Sequence, residues 1–116
     1  AAEAEMHLHG EGSAKAKMYI DALRDRAHDA KRAAYTLNDV LDERSRELYC
    51  EGLRRTDLIR FNQFGGTQAT YKWELKGGST NGTTFAKTYN LYPIPSSEIR
   101  SNKNLTQIDG YNEVQN

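Results

Sequence analysis

The residues best placed to do chemistry are the alternating charges of LDERSRELYCEGLRRTDLIRF, positions 41–61. Glu43, Glu47 and Glu51 recur at every fourth position, and with His28 they are the residue types of a small metal or acid/base site. Arginines interleave with them. Spacings of three from Arg44 to Glu47 and from Glu51 to Arg54, and of four from Glu51 to Arg55, permit ion pairs along one helix. Guanidinium groups among the carboxylates repel a cation, so the favoured reading is structural. Arg44, Glu47, Glu51, Arg54 and Arg55 are expected to form an ion-pair network that fixes how the helix docks. Glu51 is expected to be largely buried and bonded to Arg54, Arg55 or Arg44. No catalytic residue, metal or cofactor is assigned.

Two further groups invite a chemical reading. Tyr71, Trp73, Tyr89 and Tyr92 are of the type that stacks on sugar rings, and Tyr71 and Trp73 are the sugar-stacking candidates. The competing reading, which is favoured, is that they pin a Gly-rich loop to the helices. His7 and His9 point in different directions on a helix, which makes them poor co-ligands. Cys50, the single cysteine, has no partner for a disulfide and reads as a buried, inert thiol. No phosphate loop, dinucleotide fingerprint, Ser-His-Asp arrangement or zinc spacing occurs.

The elements that must carry these residues follow from periodicity. Residues 1–9 read as a helix stopped by Gly10 and Gly12. Ser13 is the N-cap of a second helix, whose apolar stripe is Ala16, Tyr19, Ile20, Leu23 and Ala27. Residues 28–35 form a polar connector. Thr36 with Asp39 approximates a capping box that opens a third helix. On one continuous helix, Leu37, Val40, Leu48, Leu58 and Phe61 share a broad face, so the third helix is predicted to run through Gly52 to about Asn62, with a close neighbour explaining the glycine. Tyr71, Trp73 and Leu75 alternate with Lys72 and Glu74, which fits a short strand or extended segment. Pro93 and Pro95 exclude helix over 91–95, and Ser96 to Arg100 fits one helical turn. Leu91, Ile94, Ile99 and Leu105 are expected to lie across the helices and order the ending. The predicted fold is all-α. Tetratricopeptide-like helical hairpins over 1–63 are followed by a long irregular Gly/Pro/Asn-rich segment over 64–116, in one region.

Zero net charge over 116 residues leaves no electrostatic footprint for nucleic acid. No apolar run is long enough to span a bilayer. The first residue is Ala1 rather than Met, which reads as a processed or truncated product.

Two stretches resemble one family, SusD/RagB. The helix matches E-R-x-x-E-L-x-x-E-G-x-R-x-x-D-L-x-R through Glu43, Arg44, Glu47, Leu48, Glu51, Gly52, Arg54, Asp57, Leu58 and Arg60. The ending is similar to L-x-P-I-P-x-x-E-I-x-x-N-x-N-L-T-Q-x-x-G-Y through Leu91, Pro93, Ile94, Pro95, Glu98, Ile99, Asn102, Asn104, Leu105, Thr106, Gln107, Gly110 and Tyr111. YKWELKGG, with Leu75 in place of a second aromatic, and the upstream LRDRAH fit as well. The resemblance implies the tail of a longer, non-catalytic surface lipoprotein, lipid-anchored at the extracellular face of the outer membrane. Such a protein binds glycans and hands oligosaccharides to a SusC-like TonB-dependent transporter. It implies that most glycan contacts lie upstream, and that this fragment alone is soluble. The alternative function is a free-standing helical protein–protein interaction module.

Overall fold

The computed structural model describes residues 1–111. Among them are five α-helices and two short 3₁₀ turns, with no strand. The chain divides into two compact units: Ala1–Asp57, and a second that begins at Leu58.

The first unit is built from helices whose starts and stops are local. Helix α1 (Ala2–His9) ends at Gly10, whose φ of 85° leaves the helical path. Helix α2 (Ala14–Arg26) starts where the Ser13 side chain accepts from the Ala16 N–H at 3.3 Å. Helix α3 (Leu37–Glu47) opens with the expected capping box. Asp39 N–H donates to the Thr36 hydroxyl, and Thr36 N–H donates to the Asp39 carboxylate at 2.8 Å. Helix α1 packs on both α2 and α3. Met6, Ala16, Ile20, Tyr35 and Val40 form the core, with Ala2 and Leu37 at its edge. Each large side chain buried there contributes about 1.5–3 kcal/mol.

Tyr35 is the surprise of that core. It falls in the connector, yet it is only 2% exposed. Its ring fills the core while its hydroxyl donates to Asp21 at 2.8 Å and accepts from the Arg32 N–H at 3.0 Å.

The long helix through Gly52 does not form. Helix α3 stops at Glu47 and a new helix, α4, covers Arg54–Arg60. Between them Cys50 and Gly52 both have left-handed backbone, with φ of 65° and 75°. Nothing lies within 4 Å of a Cβ built on Gly52, so no close neighbour explains the glycine; the turn's backbone does. A periodicity argument treats rotation as uninterrupted, and two left-handed residues cancel that premise.

In the second unit α5 (Ser96–Ser101) follows Pro95 as expected. The 71–75 segment pairs with no strand; it turns at Leu75, whose φ is 64° and whose side chain is 65% exposed. Leu91 is also mostly exposed, Leu105 sits at the margin, and Ile94 and Ile99 are half-buried. The expectation that these four side chains order the ending by burial therefore fails for Leu91 and Leu105. Polar clamps carry the load instead. Gln107 Oε1 accepts from the N–H groups of Ile94 and Ile108, both at 3.0 Å, and its Nε2 donates to the Ile94 carbonyl at 2.9 Å. Pro93 and Pro95 offer no N–H, so this amide serves Ile94 as a paired strand would. Asn90 does the same for Gly65, accepting from its N–H at 2.9 Å. Gln63 Oε1 accepts from Tyr71 N–H at 2.8 Å. The Tyr111 hydroxyl lies 3.0 Å from the Thr88 carbonyl and 2.7 Å from that of Leu91.

Candidate functional site

The charged motif folds back on itself instead of running along one helix. Arg44 Nε donates to Asp57 Oδ2 at 2.8 Å, and Asp57 is buried. Arg54 Nη1 donates to the Leu41 carbonyl at 2.8 Å, with its Nη2 3.7 Å from Asp42. These two arginines tie together the segments on either side of the 48–53 turn. Glu47 pairs with Arg26 of α2. Glu51 is exposed in the turn and makes no ion pair among the described residues. The pairs expected from helical spacing, Arg44 with Glu47 and Glu51 with Arg54, are therefore replaced by longer-range ones. Breaking the helix moves Glu51 off the shared face. Arg55 is half-buried.

Glu43 is a second buried carboxylate, 5% exposed. It accepts from Arg24 Nη2 at 3.0 Å and from Arg46 Nη2 at 2.6 Å. Arg24, only 3% exposed, also donates to Asp29 at 3.0 Å and to the Ala30 carbonyl at 2.7 Å, and lies over the Tyr35 ring. This buried pair joins α2 to α3, although the Arg24 Nε finds no hydrogen-bond partner among the described residues. Sequence reading missed Arg24 because a charge beside the apolar stripe reads as solvated. Its signal was the LRDRAH stretch. Glu43 and Glu47 both line a groove of about 240 Å³ with Ile20, Leu23 and Val40. Each is already spent on an arginine, so neither is free as a base or metal ligand. His7 and His9 are exposed and reach Glu3 and Glu5 on their own helix; His28 is exposed. Cys50 is an exposed thiol, not a buried one, because the turn carries it outward.

In the second unit the chemistry gathers on Lys76, a residue that no periodicity or motif marks for burial. It is 1% exposed. Its Nζ donates to the carbonyls of Gln63 at 3.0 Å and Tyr71 at 2.5 Å. It also lies 4.6 Å from the centre of the Trp73 ring and 5.4 Å from that of Phe85. No carboxylate pairs with it among the described residues. Burial pushes its pKa below the ordinary lysine value, and Lys72 adds to the shift. Phe64 stacks near Trp73 at 6.5 Å and meets Phe85 edge-on at 5.0 Å, and Phe85 meets Tyr89 at 5.5 Å. Trp73 is 37% exposed and Tyr71 half-buried. Of the aromatic candidates, Trp73 alone sets its ring on the ammonium, beside Phe85; Tyr71 offers its backbone carbonyl, Tyr89 packs on Phe85, and Tyr92 is mostly exposed.

The sequence profile of the SusD family matches residues 1–111. The chain is 46% identical over 93 residues to the starch-binding protein SusD of Bacteroides thetaiotaomicron; the alignment covers 79% of this chain and 16% of that protein. The chain thus spans a small part of the relative's length. The fold-back of the charged motif and the Gln107 and Tyr111 clamps of the ending give physical roles to the residues that carried the resemblance, and the chain belongs to the SusD family.

Proposed function

We propose that this chain is the C-terminal part of a non-catalytic, glycan-binding surface lipoprotein that passes oligosaccharides to a TonB-dependent outer-membrane transporter. The observation that carries this reading is the identity to a starch-binding protein across most of the chain. No helix among the described residues is long and apolar enough to cross a membrane. The geometry agrees with a role without catalysis, since the clustered carboxylates are occupied by arginines. In the parent, α1 to α3 are helices of tetratricopeptide-like hairpins that support the rest of the chain. Tyr71 and Trp73 serve mainly to pack the loop on Lys76 and leave sugar capture to upstream segments.

The test uses the full-length protein. It should bind starch-type oligosaccharides saturably, release no shortened products, and co-purify with its transporter. Turnover of the oligosaccharide, or no binding to any glycan in a broad panel, would overturn the reading. Within the present chain, Trp73 fluorescence should not change on adding starch oligosaccharides. A saturable change lost in Trp73→Ala would make Trp73 a sugar platform.

A further inference from the structure

The second unit contains a polar pocket of about 170 Å³ around the Gly65–Gly66 backbone, lined by Asn62, Thr67, Gln68, Lys87 and Asn90. Its floor is fixed. Gly65 N–H donates to Asn90, and Gly66 N–H donates to the Phe85 carbonyl at 2.8 Å. A Cβ on Gly65 would lie 2.7 Å from the Ala86 carbonyl oxygen, so only glycine allows this approach.

The walls are different. The side chains of Asn62, Thr67, Gln68 and Lys87 make no hydrogen bond or ion pair among the described residues, while Asn90 is committed to Gly65. Two amides, a hydroxyl and an ammonium therefore face one small space with their hydrogen-bonding capacity unspent. An amide that offers one donor and one acceptor edge suits adjacent hydroxyls on a sugar ring. Among the described residues no Asp or Glu lines the pocket, so none there neutralises the Lys87 charge. No aromatic ring among the described residues lines it either, so selection would rest on hydrogen bonds and charge, not stacking.

We propose that this pocket is a subsite for a carboxylated pyranose, such as a uronic acid residue of a glycan, with Lys87 Nζ on the carboxylate and Asn62 and Gln68 on ring hydroxyls. The proposal rests on the reading that the parent captures glycans, and adds an acidic-sugar contact in its C-terminal part.

The experiment is a set of amide chemical-shift titrations of the 116-residue chain with glucuronate, glucose and inorganic phosphate, repeated on Lys87→Gln. Glucuronate should shift amides within 62–68 and 87–90 and bind about fivefold more tightly than glucose, the worth of one exposed ion pair. Lys87→Gln should abolish that difference while leaving the spectrum folded, and Asn62→Ala should weaken both sugars. Equal affinity for glucose and glucuronate, indifference to Lys87→Gln, or no shifts would overturn the proposal. So would phosphate reproducing the shifts at the same concentration, which would mark a simple anion site. None of these failures touches the glycan reading of the parent, which is decided by oligosaccharide binding to the full-length protein.

Discussion

The two units solve the same problem with different chemistry. Ala1–Asp57 has a conventional apolar core, Met6, Ile20, Tyr35 and Val40, sealed by a buried Arg24–Glu43 pair. From Leu58 onward few large apolar side chains are fully buried. There the chain is shaped by side-chain amides and a hydroxyl that bond to backbone, by aromatic contacts, and by the buried ammonium of Lys76. A helix satisfies its own backbone, so its side chains are free to build a core. An irregular segment rich in Gly and Pro must find partners for its backbone elsewhere. Asn90, Gln107 and Gln63 are those partners. The comparison teaches that an irregular ending can be ordered by specific hydrogen bonds where apolar burial is thin.

The largest expected effects lie in the first unit. Glu43→Ala should cost about 3–5 kcal/mol in chemical denaturation, because it strips a buried arginine of its central partner. Glu51→Ala, in the exposed turn, should leave the midpoint unchanged. Equal effects of the two would mean that the buried pair is not where the structure puts it. Ile20→Ala should cost about 2–5 kcal/mol, whereas Leu91→Ala, at a side chain 56% exposed, should cost far less. A large loss at Leu91 would return apolar burial to the second unit.

Gln107→Ala is the matching test of the clamps. It removes three hydrogen bonds around Ile94 and Ile108 and should cost about 1–3 kcal/mol. Gln107→Glu, which keeps an acceptor but loses the donor to the Ile94 carbonyl, should fall between wild type and alanine.

The smallest effects are those of pH, and they fall in different pH windows in the two units. The Lys17 ammonium, and then the Tyr35 hydroxyl, hold the Asp21 carboxyl below its ordinary value of 3.8. Burial pushes Asp39 upward, but the Thr36 N–H and hydroxyl together with Arg32 outweigh it and leave Asp39 lowered. Both carboxylates therefore contribute stability that is in place above the ordinary value and lost as pH falls through the folded ones. Lys76 gives the same slope in an alkaline window, because here it is the charged form that the fold disfavours. Its pKa is lowered in the fold, so between that value and the ordinary 10.5 the unfolded chain holds more protons and stability rises with pH. Denaturation profiles should show an acid limb reduced in Asp21→Asn and Asp39→Asn. They should show an alkaline gain that disappears in Lys76→Met. An alkaline gain unchanged in that variant would mean the ammonium is solvated.

Much of the first unit was legible in sequence. Ser13, Thr36 and Asp39 announce helix starts because caps are local, and Gly10 announces a stop for the same reason. What was not legible depends on contacts far apart in the chain. Tyr35 looks like connector until the core closes over it. Arg24 looks solvated until Glu43 meets it. The break at 48–53 escaped because the apolar register continues smoothly through a turn that Cys50 and Gly52 alone create. Lys76 escaped because no pattern predicts a buried ammonium without a carboxylate. The ending was recognisable as a family motif, but the reason for its Gln and Tyr emerges only when Gln107 is seen on Ile94 and Tyr111 on the Leu91 carbonyl.

Amide hydrogen exchange tests the contrast between the units most directly. In the wild-type chain the N–H groups of Gly65, Tyr71, Ile94 and Ile108 should be protected although none lies in a helix. Asn90→Ala should release Gly65, Gln63→Ala should release Tyr71, and Gln107→Ala should release Ile94 and Ile108, each leaving the α2 and α3 amides protected. Rapid exchange at these four positions in the wild type would contradict the clamps. Loss of protection throughout both units from any single clamp variant would show that the second unit is not held by local hydrogen bonds of its own.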